Sequence, residues 1–379
     1  MRERLPVFLG IFAVMALSNA IVPVLPRFAE GAAAQGILYS SYFLGAFLLT
    51  LPAGILADRW GPVPVIRAGL LVTLISGILM LFPSWSPAII AGRLLEGFGA
   101  GLFVASALAW VNARPDHARE SGIFLALMNI GLVGGLVISG LVIEFSALPV
   151  AGIMLFTVLS LVPLAASLFM RNDRAAETRH PAIASGGFAR NLVRIIRDDF
   201  WLWISSVILV GITGVVASLY PGFTGETAAN LGLEIAAMNI ATVIAVLLIS
   251  RLRFPPVTTL RIAALLMAVA VFATFLSPYG FILVGAIAGV VMVAQLAFLA
   301  QAETQQGIAM GLWSTTGYLG MTLLPFIAGV VAEQTTFFFA FAFSAVLAVL
   351  VALTIGRCSC RLRREAPGSV ADTADTGGS

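Results

Sequence analysis

The stretch Gly54-Ile-Leu-Ala-Asp-Arg-Trp-Gly-Pro-Val-Pro-Val-Ile-Arg67 interrupts an otherwise apolar sequence, with Gly36–Ala57 before it and Val63–Phe82 after it. Each flanking run has about the 20 apolar residues that an α-helix needs to cross roughly 30 Å of hydrocarbon. The charges between them sit on a connection too short to fold alone. The whole therefore reads as a helical hairpin of two membrane spans joined by a tight polar turn. The same alternation runs through the chain. Upstream and downstream in the first half lie Leu5–Phe28, Pro87–Asn112, Gly122–Phe145 and Leu148–Phe169. The second half has Trp201–Phe223, Leu231–Ile249, Thr258–Leu276, Gly280–Ala300, Gly307–Ala332 and Phe337–Ile355.

Composition excludes a soluble globular domain. Apolar residues make up 60% of the 379 positions and charged residues 10%, with a mean hydropathy of +1.04. A soluble domain is about 25% charged, so this chain has too little polar surface to cover itself in water. Helices satisfy their own backbone groups and are free to face lipid. The N-terminus imitates a signal peptide, but its apolar run exceeds the roughly 7–15 residues of such a segment. It is expected to remain as a first span, interrupted by Asn19, Pro23 and Pro26.

Arginine placement tests the span count. All basic residues are arginine, 21 in number. With the N-terminus in the cytoplasm, only Arg27 falls outside and Arg93 within a span; every other arginine falls on the inner side, as the positive-inside rule requires. Both termini are then cytoplasmic. The halves also echo each other: Arg59 to Arg67 after span two matches Arg253 to Arg261 after span eight. Likewise Ser139-Gly-Leu-Val-Ile-Glu144 at the end of span five matches Ala328-Gly-Val-Val-Ala-Glu333 at the end of span eleven. The expected architecture is all-α, about twelve transmembrane helices in two pseudo-symmetric six-helix bundles. The first covers 1–170 and the second 201–356, with a charged cytoplasmic linker at 171–200 and a disordered tail at 357–379. Cys358 and Cys360 lie in that tail, so no disulfide framework exists.

Gly54-Ile-Leu-Ala-Asp-Arg-Trp-Gly61 resembles the G-x-L-A-D-R-x-G signature of the major facilitator superfamily, and the resemblance extends over all twelve spans. It implies alternating access between two bundles, with Gly54, Asp58, Arg59 and Gly61 as a cytoplasmic gate motif. Asp58 could face the positive N-terminus of span eleven near Gly307, and Gly61 permits a tight turn. Where the family has basic residues next, this chain has Pro62 and Val63. Gly92-Arg-Leu-Leu-Glu-Gly-Phe-Gly-Ala-Gly101 is similar to the family's R-x-x-Q-G-x-G pattern, with Glu96 in place of glutamine. The span-five glycines Gly131, Gly135 and Gly140 follow the spacing of the family's antiporter motif, but Leu136 stands where that motif has proline.

Arg93 lies about seven residues into span four, roughly 10 Å deep at 1.5 Å per residue, and Glu96 lies near mid-membrane. Ionisable residues there cost at least about 2.5–3.5 kcal/mol on insertion scales and point to function. Their i, i+3 spacing places both on one helix face. They are candidates for proton coupling, and a self-neutralising structural pair is the alternative. Asn19, Tyr42, Trp110, Asn129, Glu234, Asn239, Gln295, Trp313 and Tyr318 are candidates to line a central cavity, each weighed against a satisfied interhelical hydrogen bond.

No phosphate-binding G-x-x-x-x-G-K-[ST] loop is present, and no metal-ligand cluster or enzyme signature appears, so no cofactor is expected. The resulting expectation is a secondary transporter in the cell membrane, monomeric, with a small-molecule substrate, protons as coupling ion and no nucleic-acid partner. Proton-coupled export of a small, partly apolar molecule leads. Uptake of a small metabolite or organic anion, and a transport-inactive membrane sensor or scaffold, are the alternatives.

Overall fold

The computed structural model describes residues 4–82, 86–171, 188–252, 254–301 and 306–357. The expected tail, with Cys358 and Cys360, and linker residues 172–187 lie outside them. Among the described residues all regular structure is helical. The helices are α1 (Leu5–Ala20), α2 (Leu25–Phe28), α3 (Ala32–Trp60), α4 (Pro62–Met80), α5 (Ser86–Asn112), α6 (His117–Ser146) and α7 (Ala151–Ser167), followed by α8 (Phe188–Asp198), α9 (Phe200–Thr224), α10 (Ala228–Ile249), α11 (Pro256–Leu276), α12 (Gly280–Gln301), α13 (Gln306–Gln334) and α14 (Phe337–Thr354). A 3-10 turn at Val22–Val24 joins α1 to α2, making one broken span. Pro23 supplies no N–H, which removes a rung of the α-helical ladder at this break.

Among the described residues eleven helical segments are long and apolar enough to cross a membrane, and α7 is a shorter apolar helix of 17 residues that completes the twelve. Its end is extended by turns through Met170 and held from α4. Arg67 donates from Nε to the Ser167 carbonyl at 2.9 Å and from Nη2 to those of Leu168 and Met170 at 3.2 and 2.8 Å. A cation at a helix C-terminus pairs with carbonyls that lack partners in their own helix. The matching arginine of the second half, Arg261, lies with its guanidinium against Gly356, just beyond α14. The repeat seen in the sequence therefore places an arginine beside the end of each half's last span, and in the first half that arginine hydrogen-bonds it.

The end of the charged stretch expected as a linker is helical. Residues 188–198 form α8, whose Ile195 is buried against the bundle. Its apolar residues recur at helical spacing among arginines.

Between the halves, α13 packs along α3 and α10 along α6. The repeat exchanges these two pairs. At the end away from the arginine-rich turns the backbones nearly touch. A side chain at Gly36 would strike the Pro325 carbonyl, at Gly329 that of Ala32, at Gly140 that of Ala228 and at Gly232 that of Leu136. At the arginine-rich end nothing lies within 4 Å of where side chains at Gly54, Gly122 and Gly311 would project. The bundles thus meet backbone to backbone at one end, and these three glycines make no such contact at the other.

Candidate functional site

Arg93 and Glu96 lie one turn apart on α5, 1% and 0% exposed. Their position is fixed by close backbone packing. Gly97 lies against the Tyr42 carbonyl of α3, and Gly45 of α3 lies against the Leu94 carbonyl. Small residues at such a crossing let two membrane helices approach and stiffen against each other.

Arg93 Nη1 donates to Glu96 Oε2 at 2.5 Å and to the Ser18 carbonyl of α1 at 2.9 Å. Its Nε reaches the Leu38 carbonyl of α3 at 3.4 Å, and the guanidinium carbon stands 4.8 Å from the Tyr42 ring centroid. The Ser18 acceptor is available because α1 ends at Ala20, leaving its last four carbonyls without helical donors. Another of them, Ala20, accepts from Ser139 Oγ of α6 at 2.6 Å. The break at Pro23 therefore supplies the acceptors that tie α1 to α5 and α6. Glu96 Oε1 is buried with no hydrogen-bond partner. The pair neutralises itself, yet one carboxylate oxygen remains open to a proton.

The other candidates separate into groups. Asn19 donates to the Leu132 carbonyl at 3.1 Å, pinning α1 to α6 where Gly131 lies against Phe12 and Gly135 against Ala16. Gly140, the last glycine of that motif, lies instead on α10 of the other half. In the second bundle Trp313 Nε1 donates to Gln295 Oε1 at 2.9 Å, and Gln295 Nε2 to Ser205 Oγ at 3.3 Å. Thr316 donates to Ser206 beside them at 3.1 Å. Asn129 and Asn239 donate to carbonyls four residues back in their own helices. Trp110 is buried, with the Arg114 guanidinium 3.6 Å above its ring. Tyr318 is half-buried on α13. Glu234 is half-buried near the closed end and has one carboxylate oxygen buried without a partner.

The gate motif divides in the same way. Gly61 has φ +83, a conformation that costs an L side chain, and Pro62 opens α4 behind it. Asp58 and Arg59 are exposed at the open end, and no hydrogen bond or ion pair engages Asp58 among the described residues. The structural residues that the sequence did not mark are Ser18, Ser205, Ser206 and Thr316, while Ser139 and Glu333 stood out only as ends of the repeat. Glu333, at the end of α13, lies over Gly31 and accepts from the Ala33 N–H at the start of α3 at 3.4 Å. Its repeat partner Glu144 is exposed.

Two six-span halves related by a repeat, with a buried charge pair inside the first, describe a multi-span helical membrane fold. The family model described as Major Facilitator Superfamily matches residues 7–301, and the chain belongs to that family. Its fold resembles that of the nucleoside transporter NupG, with a TM-score of 0.76 at 16% identity over 94% of this chain and 99% of that one. It also resembles an inward-facing bacterial homolog of the human lysosomal transporter Spinster, with a TM-score of 0.70 at 14% identity over 94% and 95%. Among curated relatives, the class C tetracycline resistance protein of Escherichia coli is 34% identical over 37% of this chain and 38% of its own length. The probable anion transporter 6 of Arabidopsis thaliana is 28% identical over 34% and 26%. These matches span only about a quarter to two fifths of the relatives' lengths.

Proposed function

We propose that this chain is a proton-coupled exporter of a small, partly apolar molecule, with Glu96 as the proton carrier and Arg93 as the group that sets its affinity. The observation that carries this reading is the buried Arg93–Glu96 pair. It is joined to α1 and α3 and keeps one carboxylate oxygen without a partner. Protonation of Glu96 would remove the charge that holds Arg93, whose remaining bonds run to carbonyls of α1 and α3. Proton binding would thereby act on the helices that must shift between the two open states. Similarity to tetracycline and multidrug resistance proteins supports export.

The positive-inside rule supports a reading in which the arginine-rich end and both termini face the cytoplasm, and the reading takes the membrane to be the plasma or inner cell membrane. In the opposite state α3 and α13 would close there, using the free space at Gly54 and Gly311. Asp58 would then reach the N-terminus of α13, where a carboxylate is favoured. Uptake of an organic anion through Arg93 is the weaker reading, since Glu96 already occupies the guanidinium.

Reconstitution tests the proposal. Liposomes containing the purified protein should move an apolar substrate faster under an imposed pH gradient, with proton flux in the opposite direction. Transport indifferent to the gradient would refute proton coupling, and no transport of any tested solute would favour a sensor or scaffold.

A further inference from the structure

The most distinctive surface outside the transport path is the junction of α8 and α9. Ile195 is buried, and its carbonyl accepts from Trp203 Nε1 at 3.1 Å, so α8 is clamped to the start of α9. On the side turned away, Val193, Ile196 and Phe200 are 63%, 37% and 46% exposed. Val193 and Ile196, three residues apart, share one face of α8, and Phe200 at the start of α9 lies beside them. With Arg197 and Trp201 they line an open groove of about 510 Å³. Phe200 and Trp201 meet edge to face at 5.4 Å in the first turn of α9, the place where aromatic residues mark the level of lipid headgroups.

We propose that this groove is a binding site for one anionic phospholipid of the inner leaflet, with an acyl chain along Val193, Ile196 and Phe200 and the phosphate on Arg197. The groove opens at the first turn of α9, at the level its aromatic pair marks, and sets one guanidinium beside apolar side chains, which fits a lipid with a charged headgroup. Neither Arg194 nor Arg197 is in an ion pair among the described residues. A guanidinium binds phosphate oxygens through paired N–H donors. Residues 188–199 contain three arginines, Arg190, Arg194 and Arg197, against Asp198 and Asp199. The formal balance is only +1, so recognition rests on one guanidinium beside an apolar seat rather than on a broad polybasic field. An amphipathic helix of this kind lies at the interface with its apolar face in the acyl boundary.

Native mass spectrometry of the purified full chain tests the site, with phosphatidylglycerol and phosphatidylcholine of identical chains as probes. The wild type should retain one phosphatidylglycerol in preference to phosphatidylcholine. Arg197→Gln should weaken phosphatidylglycerol about fivefold, the effect of one basic group near a membrane surface, and leave phosphatidylcholine unchanged. Arg197→Lys should recover most of the preference. Val193→Gln should weaken both lipids. Equal retention of the two lipids by the wild type, or unaltered phosphatidylglycerol binding in Arg197→Gln, would overturn the assignment. So would dimers that Arg197→Gln dissolves, because a second copy would then be the occupant.

Discussion

Arg93 Nη1 is shared between the Glu96 carboxylate, 2.5 Å away, and the Ser18 carbonyl of α1, 2.9 Å away. One nitrogen thus connects the only ion pair buried on both sides, among the described residues, to a helix end that a proline has left open. Removing one member of such a pair is far more damaging than removing both, because the survivor keeps its desolvation cost. Arg93→Met should therefore destabilise the protein by about 3–5 kcal/mol. Arg93→Met combined with Glu96→Leu should recover much of that loss. Thermal unfolding of the two variants in one detergent measures the difference, and equal losses would mean that the residues do not depend on each other.

At the closed end, Gly36 and Gly329 allow α3 and α13 to touch, and Glu333 accepts from the start of α3. Gly36→Leu should push these helix ends apart and shift the protein toward the opposite state. Glu333→Gln should do so more weakly, because a carboxylate at a helix N-terminus contributes about 0.3–1 kcal/mol. Spin labels at Glu30 and Thr335 should report longer distances in both variants, longest in Gly36→Leu. Unchanged distances would show that this contact does not determine which end is open.

Asp58 is exposed and unengaged in the present conformation, so Asp58→Asn should change thermal stability by no more than about 0.5 kcal/mol. Transport should nevertheless slow, because the charge is needed only when α3 closes on α13. Parallel measurements of melting temperature and transport rate separate the two. Normal rates would reduce the motif to its turn, which Gly61 builds by itself.

The orientation rests on the arginines. In a background lacking Cys358 and Cys360, a single cysteine at Ser185 should be labelled by an impermeant reagent from the cytoplasm, and one at Ser84 from outside. Labelling of Ser185 from outside would reverse the orientation.

The spans were legible because lipid leaves a helix little choice: each long apolar run became a helix within a few residues of its expected ends. α8 was not, because its arginines dominate an average taken over the linker, while its helical spacing shows only when Val193 and Ile196 are aligned. The Arg93–Glu96 contact could be read from i, i+3 spacing alone. Its ties to Ser18 and Leu38 could not, because both acceptors are backbone carbonyls and carry no side-chain signature. Pro23 was the available clue, since a broken helix must leave carbonyls in need of donors. Asn129 and Asn239 were marked by polarity alone, and each donates to a carbonyl of its own helix, a partner without a side-chain signature.

The most direct test of proton coupling at Glu96 is gradient-driven accumulation by Glu96→Gln in liposomes. Glutamine preserves the shape of the side chain and an oxygen that can accept from Arg93, so binding and passive exchange of substrate should persist. Accumulation against a concentration difference, driven by a pH gradient, should be lost. Gradient-driven accumulation at the wild-type level in Glu96→Gln would contradict the account and leave the Arg93–Glu96 pair with a structural role only.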